Sequence, residues 1–182
     1  VQRFGPAGCH SKQSTSILSK TYMKKILFLL SLSVVVISFQ GCIKSAVTAP
    51  CTDKTPASEL PVMQAYASTN GYSMSTHPSG MLYQVVNSGS GPIPLSTSKV
   101  FVKYTGRLVS SNAIFDQQTN AANTGFTVSQ LIPAWQLGLE LIAKGGTIRL
   151  IVPSSLAYGC NGYGTIPGNS VLFFEIELVD VQ

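Results

Sequence analysis

Charge is scarce in this sequence: 10% of its 182 residues are charged, and the chain has only two histidines and four cysteines. So few cysteines exclude a disulfide-dense scaffold, and too few cysteines and histidines together exclude a multi-zinc protein. Acids number seven, and only Asp116 and Glu140 fall between Lys99 and Ser170. A hydrolase built on paired carboxylates has too little to work with there. His77 is the single histidine after residue 42, so a histidine triad or a metal site is no better supplied. Between Thr76 and Pro78, His77 reads as a solvated turn residue. Gly89-Ser90-Gly91 is no phosphate loop, because neither a Lys-Ser/Thr pair nor a helix start follows it. Internal repeats and low-complexity tracts are also missing.

Twelve Lys and Arg residues against seven acids give a formal charge of +5. That excess is not spread along the chain. Arg3, Lys12, Lys20, Lys24 and Lys25 precede residue 42 and no acid does, while beyond it seven bases balance seven acids. A basic groove for phosphates is not expected, and nucleic acid drops out as a partner.

The basic excess belongs to a leader. Residues 1–22 have no periodicity and read as an upstream extension, with Met23 the expected natural start. Met23-Lys24-Lys25 is followed by twelve residues, 26–37, whose only polar members are serines. Two lysines and a short apolar run make residues 23–41 a secretory signal peptide; a spanning helix needs about 20 apolar residues. Gly41-Cys42 at its end resembles a bacterial lipoprotein signal, which implies a lipid anchor on Cys42 and a membrane-bound protein facing the periplasm or the cell surface. An ordinary signal peptide cleaved nearby is the alternative. Residues 42–56 follow as a polar tether. Export means an oxidising compartment, and Cys51 and Cys160 are the two cysteines left once Cys42 is acylated. Their pairing is one expectation; two free thiols, with Cys160 a small half-buried filler, is the other.

The remaining length suits one domain with extras. Residues 57–94 read as a helical arm and a lead-in strand. Pro56 and Glu59 mark a helix start and Asn70-Gly71 its stop, with Leu60, Met63 and Ala67 as a modest apolar face. Residues 81–86 read as a strand and 87–94 as a turn. Residues 95–182 form the main domain. Val100, Val102 and Tyr104 alternate with Phe101, Lys103 and Thr105, the period of a strand. Residues 126–128 are a short strand, 132–142 a helix that places Trp135, Leu139 and Ile142 on one face, and 147–152 a strand ended by Pro153. Residues 154–169 form a long ordered loop. Residues 171–179 are the clearest strand, with Leu172, Phe174, Ile176 and Leu178 on one face and Glu175 and Glu177 on the other. The connections are too short for parallel crossovers, so the fold class is α+β, an antiparallel sheet with one short helix packed on it.

Five segments, in order, carry more than periodicity. They are Val100–Leu108 with Phe115-Asp116; Leu131-Ile132-Pro133-Ala134-Trp135; Gly145 with Leu150-Ile151-Val152-Pro153; Ala157-Tyr158-Gly159; and Ile166–Leu178. Together they resemble the FKBP family of peptidyl-prolyl cis-trans isomerases, in its exported bacterial form with an N-terminal extension. The resemblance implies a twisted antiparallel sheet wrapped around the helix and a pocket floored by Trp135. It implies catalytic roles for Tyr104, Phe115, Asp116, Trp135, Tyr158 and Phe174. Phe126, Leu131, Ile132, Tyr163 and Ile166 are implied as substrate-binding. Asp116 is expected to hydrogen-bond near Tyr104, and the Ile132 amide and Tyr158 hydroxyl to hold substrate carbonyls. In the turn before Phe115, Ser110-Ser111-Asn112 replaces a family glycine, and Asn112 tolerates the left-handed region.

Isomerisation of X-Pro bonds needs no nucleophile, metal or cofactor, and none is expected. The implied partners are proline-containing unfolded or exported polypeptides, for which the protein acts as a folding helper. A proline-segment binding module or a chaperone without turnover on the same fold is the alternative.

Overall fold

The computed structural model describes residues 50–121 and 125–182. The upstream extension, the signal segment and Cys42 lie outside them. Among the described residues two α-helices, α1 (Pro56–Thr69) and α2 (Pro133–Leu139), accompany seven strands. The strands are β1 (Ser75–Thr76), β2 (Leu82–Asn87), β3 (Lys99–Leu108), β4 (Ile114–Gln118), β5 (Phe126–Thr127), β6 (Thr147–Val152) and β7 (Leu172–Val181). They form one antiparallel sheet in the order β1-β2-β6-β7-β3-β4, with β5 paired to the start of β3. The expected α+β architecture is what the chain forms.

Alternation along β7 sets both faces. Leu172, Phe174, Ile176 and Leu178 point inward and bury with Val100, Val102, Ile148, Leu150 and the α2 residues Trp135 and Leu139. Phe173 points the other way, into a second cluster with Leu82, Ile151 and the α1 residues Met63 and Ala67. Each such large side chain contributes roughly 1.5–3 kcal/mol on burial, so α1 is a packed layer rather than a loose arm. Thr55 caps it, its Oγ accepting the Ser58 N–H at 3.3 Å, and Pro56 takes the first turn, where no N–H is missed. Beyond α1, the outer face of the sheet is polar, and Lys103–Glu177 (3.2 Å) and Arg149–Glu175 pair across it.

Several boundaries differ from the sequence reading. The lead-in strand begins at Leu82, one residue late: pairing with β6 starts there, and the Met81 carbonyl accepts the His77 N–H at 2.8 Å from the preceding turn. β2 pairs with β6, so the division expected at 94/95 falls inside one continuous sheet. β5 stops at Thr127, and Val128–Gln130 turn into a 3₁₀ helix. α2 ends at Leu139 instead of reaching residue 142. Leu141 and Ile142 donate to carbonyls three residues back, Gly138 and Leu139, and the Ala143 N–H then leaves for the Ser88 carbonyl at 2.8 Å. Ile142 still reaches the core. The close approach of α2 to β6 depends on Gly138, where a Cβ would stand 2.7 Å from Leu150 Cδ1.

The tether is not free at its far end. Cys51 is joined to Cys160 by a disulfide, Asp53 Oδ1 accepts the Cys160 N–H at 2.6 Å, and the Lys54 N–H donates to Asn169 Oδ1 at 3.3 Å. Residues 51–54 therefore lie along the loop after β6. His77 is half-buried rather than solvated: its Nδ1 pairs with Ser79 Oγ at 2.9 Å and its ring meets the edge of Tyr83.

Candidate active site

Strands β3, β4, β5 and β7, helix α2 and the loop after β6 converge on a cleft of about 360 Å³, lined by Tyr104, Phe115, Asp116, Phe126, Gln130, Leu131, Ile132, Trp135, Tyr158, Tyr163 and Phe174. Trp135 stands in the first turn of α2, only 5% exposed, and forms the base. Tyr104 and Phe174 meet it edge-on, with centroids at 5.0 and 5.4 Å, and Phe115 meets Phe174 at 5.7 Å, also edge-on. Rings set at right angles place positive edges on negative faces, which fixes each ring's orientation beyond the burial it provides. Gly106 makes room for them. A Cβ there would lie 2.7 Å from Phe115 Cζ and 3.0 Å from Phe174 Cε1.

The polar groups are few and placed at the rim. β3 and β4 pair with Gly106 opposite Asp116, and the Tyr104 hydroxyl donates to Asp116 Oδ2 at 2.6 Å. Burial first, and then the hydrogen bond and charge of Asp116, hold the Tyr104 phenol well above its ordinary range. The Tyr158 phenol is also raised, by burial and then by the charge of Asp116 and by Tyr163. Both are neutral hydrogen-bond donors at physiological pH. Tyr158 Oη and the Ile132 N–H have no hydrogen-bond partner among the described residues. Gln136 steadies the segment before α2, its Nε2 donating to the Leu131 carbonyl at 2.7 Å.

Ten of the eleven expected site residues line the cleft. Ile166 does not: it is 7% exposed and belongs to the core cluster. Tyr163 and Ile166 are joined by a two-way backbone pair, with N–O distances of 3.0 and 2.8 Å, yet only Ile166 is buried. Tyr163, 71% exposed, stacks on Tyr158 with centroids 5.4 Å apart. Sequence reasoning missed Gln130 in the lining and Gln136 behind it. The i, i+6 spacing of two glutamines around Pro133 carries no signal of its own.

Comparison with known proteins adds four relations. The sequence model of the FKBP-type peptidyl-prolyl cis-trans isomerase family matches residues 91–179. The FKBP-type peptidyl-prolyl cis-trans isomerase FkpA of Escherichia coli K12 is 40% identical over 107 residues, which is 59% of this chain and 40% of that protein. The outer membrane protein MIP of Legionella longbeachae is 38% identical over 107 residues, 58% of this chain and 46% of that one. The chain thus spans under half the length of these two relatives. Among solved structures, a peptidyl-prolyl cis-trans isomerase from Pseudomonas syringae pv. tomato superposes with a TM-score of 0.58 at 31% identity, over 72% of this chain and 98% of that one.

Proposed function

Because this chain belongs to the FKBP-type peptidyl-prolyl cis-trans isomerases, we propose that it catalyses rotation about X-Pro bonds in proline-containing polypeptides and so assists their folding. The observation that carries this reading is the aromatic cleft, with Trp135 at its base and, at its rim, two donors without a partner among the described residues, Tyr158 Oη and the Ile132 N–H. Rotation of a peptide bond faces a barrier of about 18–20 kcal/mol, set by C–N double-bond character. X-Pro bonds cross it in tens to hundreds of seconds unaided. At the twisted geometry that double-bond character is lost, and the amide is less polar than in either planar form. An apolar, water-poor cleft therefore favours the twisted amide over the planar one, which is the differential binding that acceleration requires.

Each residue has a task in this scheme. Trp135 receives the flat pyrrolidine ring, and Phe115, Phe126 and Phe174 enclose it. Tyr158 and the Ile132 amide hold the substrate carbonyls on either side of the rotating bond. Asp116 accepts from Tyr104 and fixes that ring as the wall nearest the bond. Tyr163 and Leu131 extend the contact surface toward the residues flanking proline. The scheme moves no proton.

An isomerisation assay with an X-Pro peptide and the full chain tests the proposal. Acceleration that a competing prolyl ligand abolishes supports it. Binding of that ligand without acceleration overturns it in favour of a proline-segment binding module.

We further infer that the protein is exported and anchored in a membrane through a lipid on Cys42, its clients being exported polypeptides. The signal-like run at 23–41 ending in Gly41-Cys42 supports this, as does the similarity to a protein named for the outer membrane. Metabolic labelling with a fatty-acid analogue should mark the wild type and not Cys42→Ser; equal labelling of both would overturn the assignment.

A further inference from the structure

The isomerase scheme assigns nothing to Glu59, the one buried acid among the described residues, at 3% exposure. It lies in the first turn of α1, outside the segment that matches the family. Its Oε2 accepts both the Ser154 N–H, at 2.7 Å, and the Ser154 hydroxyl, at 3.0 Å. Its Oε1 is buried and has no partner among the described residues. Taking a carboxylate out of water with one oxygen unpaired lowers stability, and Met63 and Ala67 already bury α1 against the sheet. An apolar side chain would serve packing better. What a carboxylate does that an apolar group cannot is accept two donors from one residue.

That residue bonds the backbone on both sides of Tyr158. Ser154 is fully buried, and its carbonyl accepts the N–H groups of Ala157, at 3.0 Å, and Gly159, at 2.9 Å. These are the residues on either side of Tyr158. One peptide further on, the Asp53 carboxylate takes the Cys160 N–H at 2.6 Å, and the Gly159 carbonyl accepts from the Asn169 N–H at 2.8 Å. The backbone that presents the Tyr158 hydroxyl thus hangs from Ser154, and Ser154 hangs from Glu59. We propose that Glu59 is a positioning residue for the isomerase reaction, setting through Ser154 where the Tyr158 hydroxyl meets the substrate carbonyl. The inference rests on the isomerase reading of the cleft.

A double-mutant cycle on the full chain tests it, with kcat/KM for an X-Pro peptide measured well below the lowest Tm of the set. Glu59→Ala should lower kcat/KM by about tenfold in the wild-type background, the scale of one lost hydrogen bond to a charged group, and by less than about twofold in the Tyr158→Phe background. Glu59→Gln, whose amide oxygen accepts both Ser154 donors, should restore activity to within about threefold of the wild type. Should Glu59→Ala not fold, Ser154→Ala takes its place. It removes the hydroxyl donor and keeps the backbone bond, and its smaller loss should again vanish in the Tyr158→Phe background. Equal losses in both backgrounds would mean a purely structural role and overturn the proposal, as would no loss in either. A wild type without isomerase activity would overturn the underlying reading itself, a result the cycle separates from failure of Glu59 alone.

Discussion

Tyr104 and Asp116 lie on neighbouring strands, and the phenol of the first donates to the carboxylate of the second at 2.6 Å across the mouth of the cleft. The bond ties β4 to the ring that meets Trp135 edge-on at 5.0 Å. Asp116→Val removes the acceptor and leaves a half-buried hydroxyl unpaired. We expect a cooperative, folded protein whose kcat/KM is lowered roughly 5- to 150-fold, the range for about 1–3 kcal/mol of lost polar interaction. Circular dichroism melts beside the peptide assay separate the two effects. Wild-type activity in this variant would show that the wall at Tyr104 does not depend on the bond.

Trp135 should matter to stability more than its position in the site suggests. It is 5% exposed and contacts two other rings. Trp135→Ala opens a cavity under them, and such changes typically cost about 3–5 kcal/mol. Trp135→Leu fills part of that space and should fold better while holding prolyl ligands weakly. Chemical denaturation of both variants, with ligand titration of the second, is the measurement. An unchanged midpoint for Trp135→Ala would contradict the buried base.

The raised phenols predict behaviour at high pH. Tyr104 and Tyr158 lie above the ordinary tyrosine value of 10.0, first because burial disfavours the phenolate and then because Asp116 is nearby. The native protein keeps protons that the unfolded chain releases from about pH 10 upward. Their contribution to stability is therefore complete below that value and is lost as pH rises through the folded pKa values. Tm should be insensitive to these groups at neutral pH and fall above about pH 10, and Tyr104→Phe and Tyr158→Phe should each flatten the fall. Catalysis should show no tyrosine titration between about pH 6 and about pH 9. A tyrosinate absorbance change in that interval, from either residue, would contradict the assignment.

Cys51 and Cys160 are 109 residues apart in sequence and bonded in the structure. A loop of that size removes much unfolded-state entropy, and the chain-entropy argument gives about 4–5 kcal/mol, less where native restraints already overlap it. Replacing both by serine should lower Tm with kcat/KM of the folded protein retained, because Asp53 and Asn169 still fasten residues 52–54 to the loop. Non-reducing mass spectrometry checks the bond directly: two alkylatable thiols at these positions would exclude it.

Much of the sheet was readable because its signals are local. The alternation in β3 and β7 predicts which residues point inward, and those residues bury. Asn112, expected to tolerate the left-handed region, has φ 57° in the β3–β4 turn. Phe173 shows where such reading stops. Periodicity puts it on the face away from Phe174, with Glu175 and Glu177, which suggests solvent. In the structure α1 covers that part of the face, and Phe173 stacks on Tyr72 with centroids 5.3 Å apart.

By itself the sequence determined five of the seven strands, all but β1 and β4, a helix start within a residue of Pro133, the aromatic set and the family resemblance, since each rests on neighbours or on short spacings along the chain. Tertiary structure alone decided which of those aromatics share a cleft, that Ile166 turns inward, and that a glutamate in the first turn of α1 anchors the loop after β6. Glu59 and Ser154 are 95 residues apart and meet at 2.7 Å only because β2, β6 and β7 bring α1 onto the outer face of the sheet. A carboxylate near a helix start reads as an ordinary surface residue, because an acid there suits the positive end of the helix in any protein. What makes it buried and bonded is the packing of layers, and no local pattern in the chain encodes which layer will cover it.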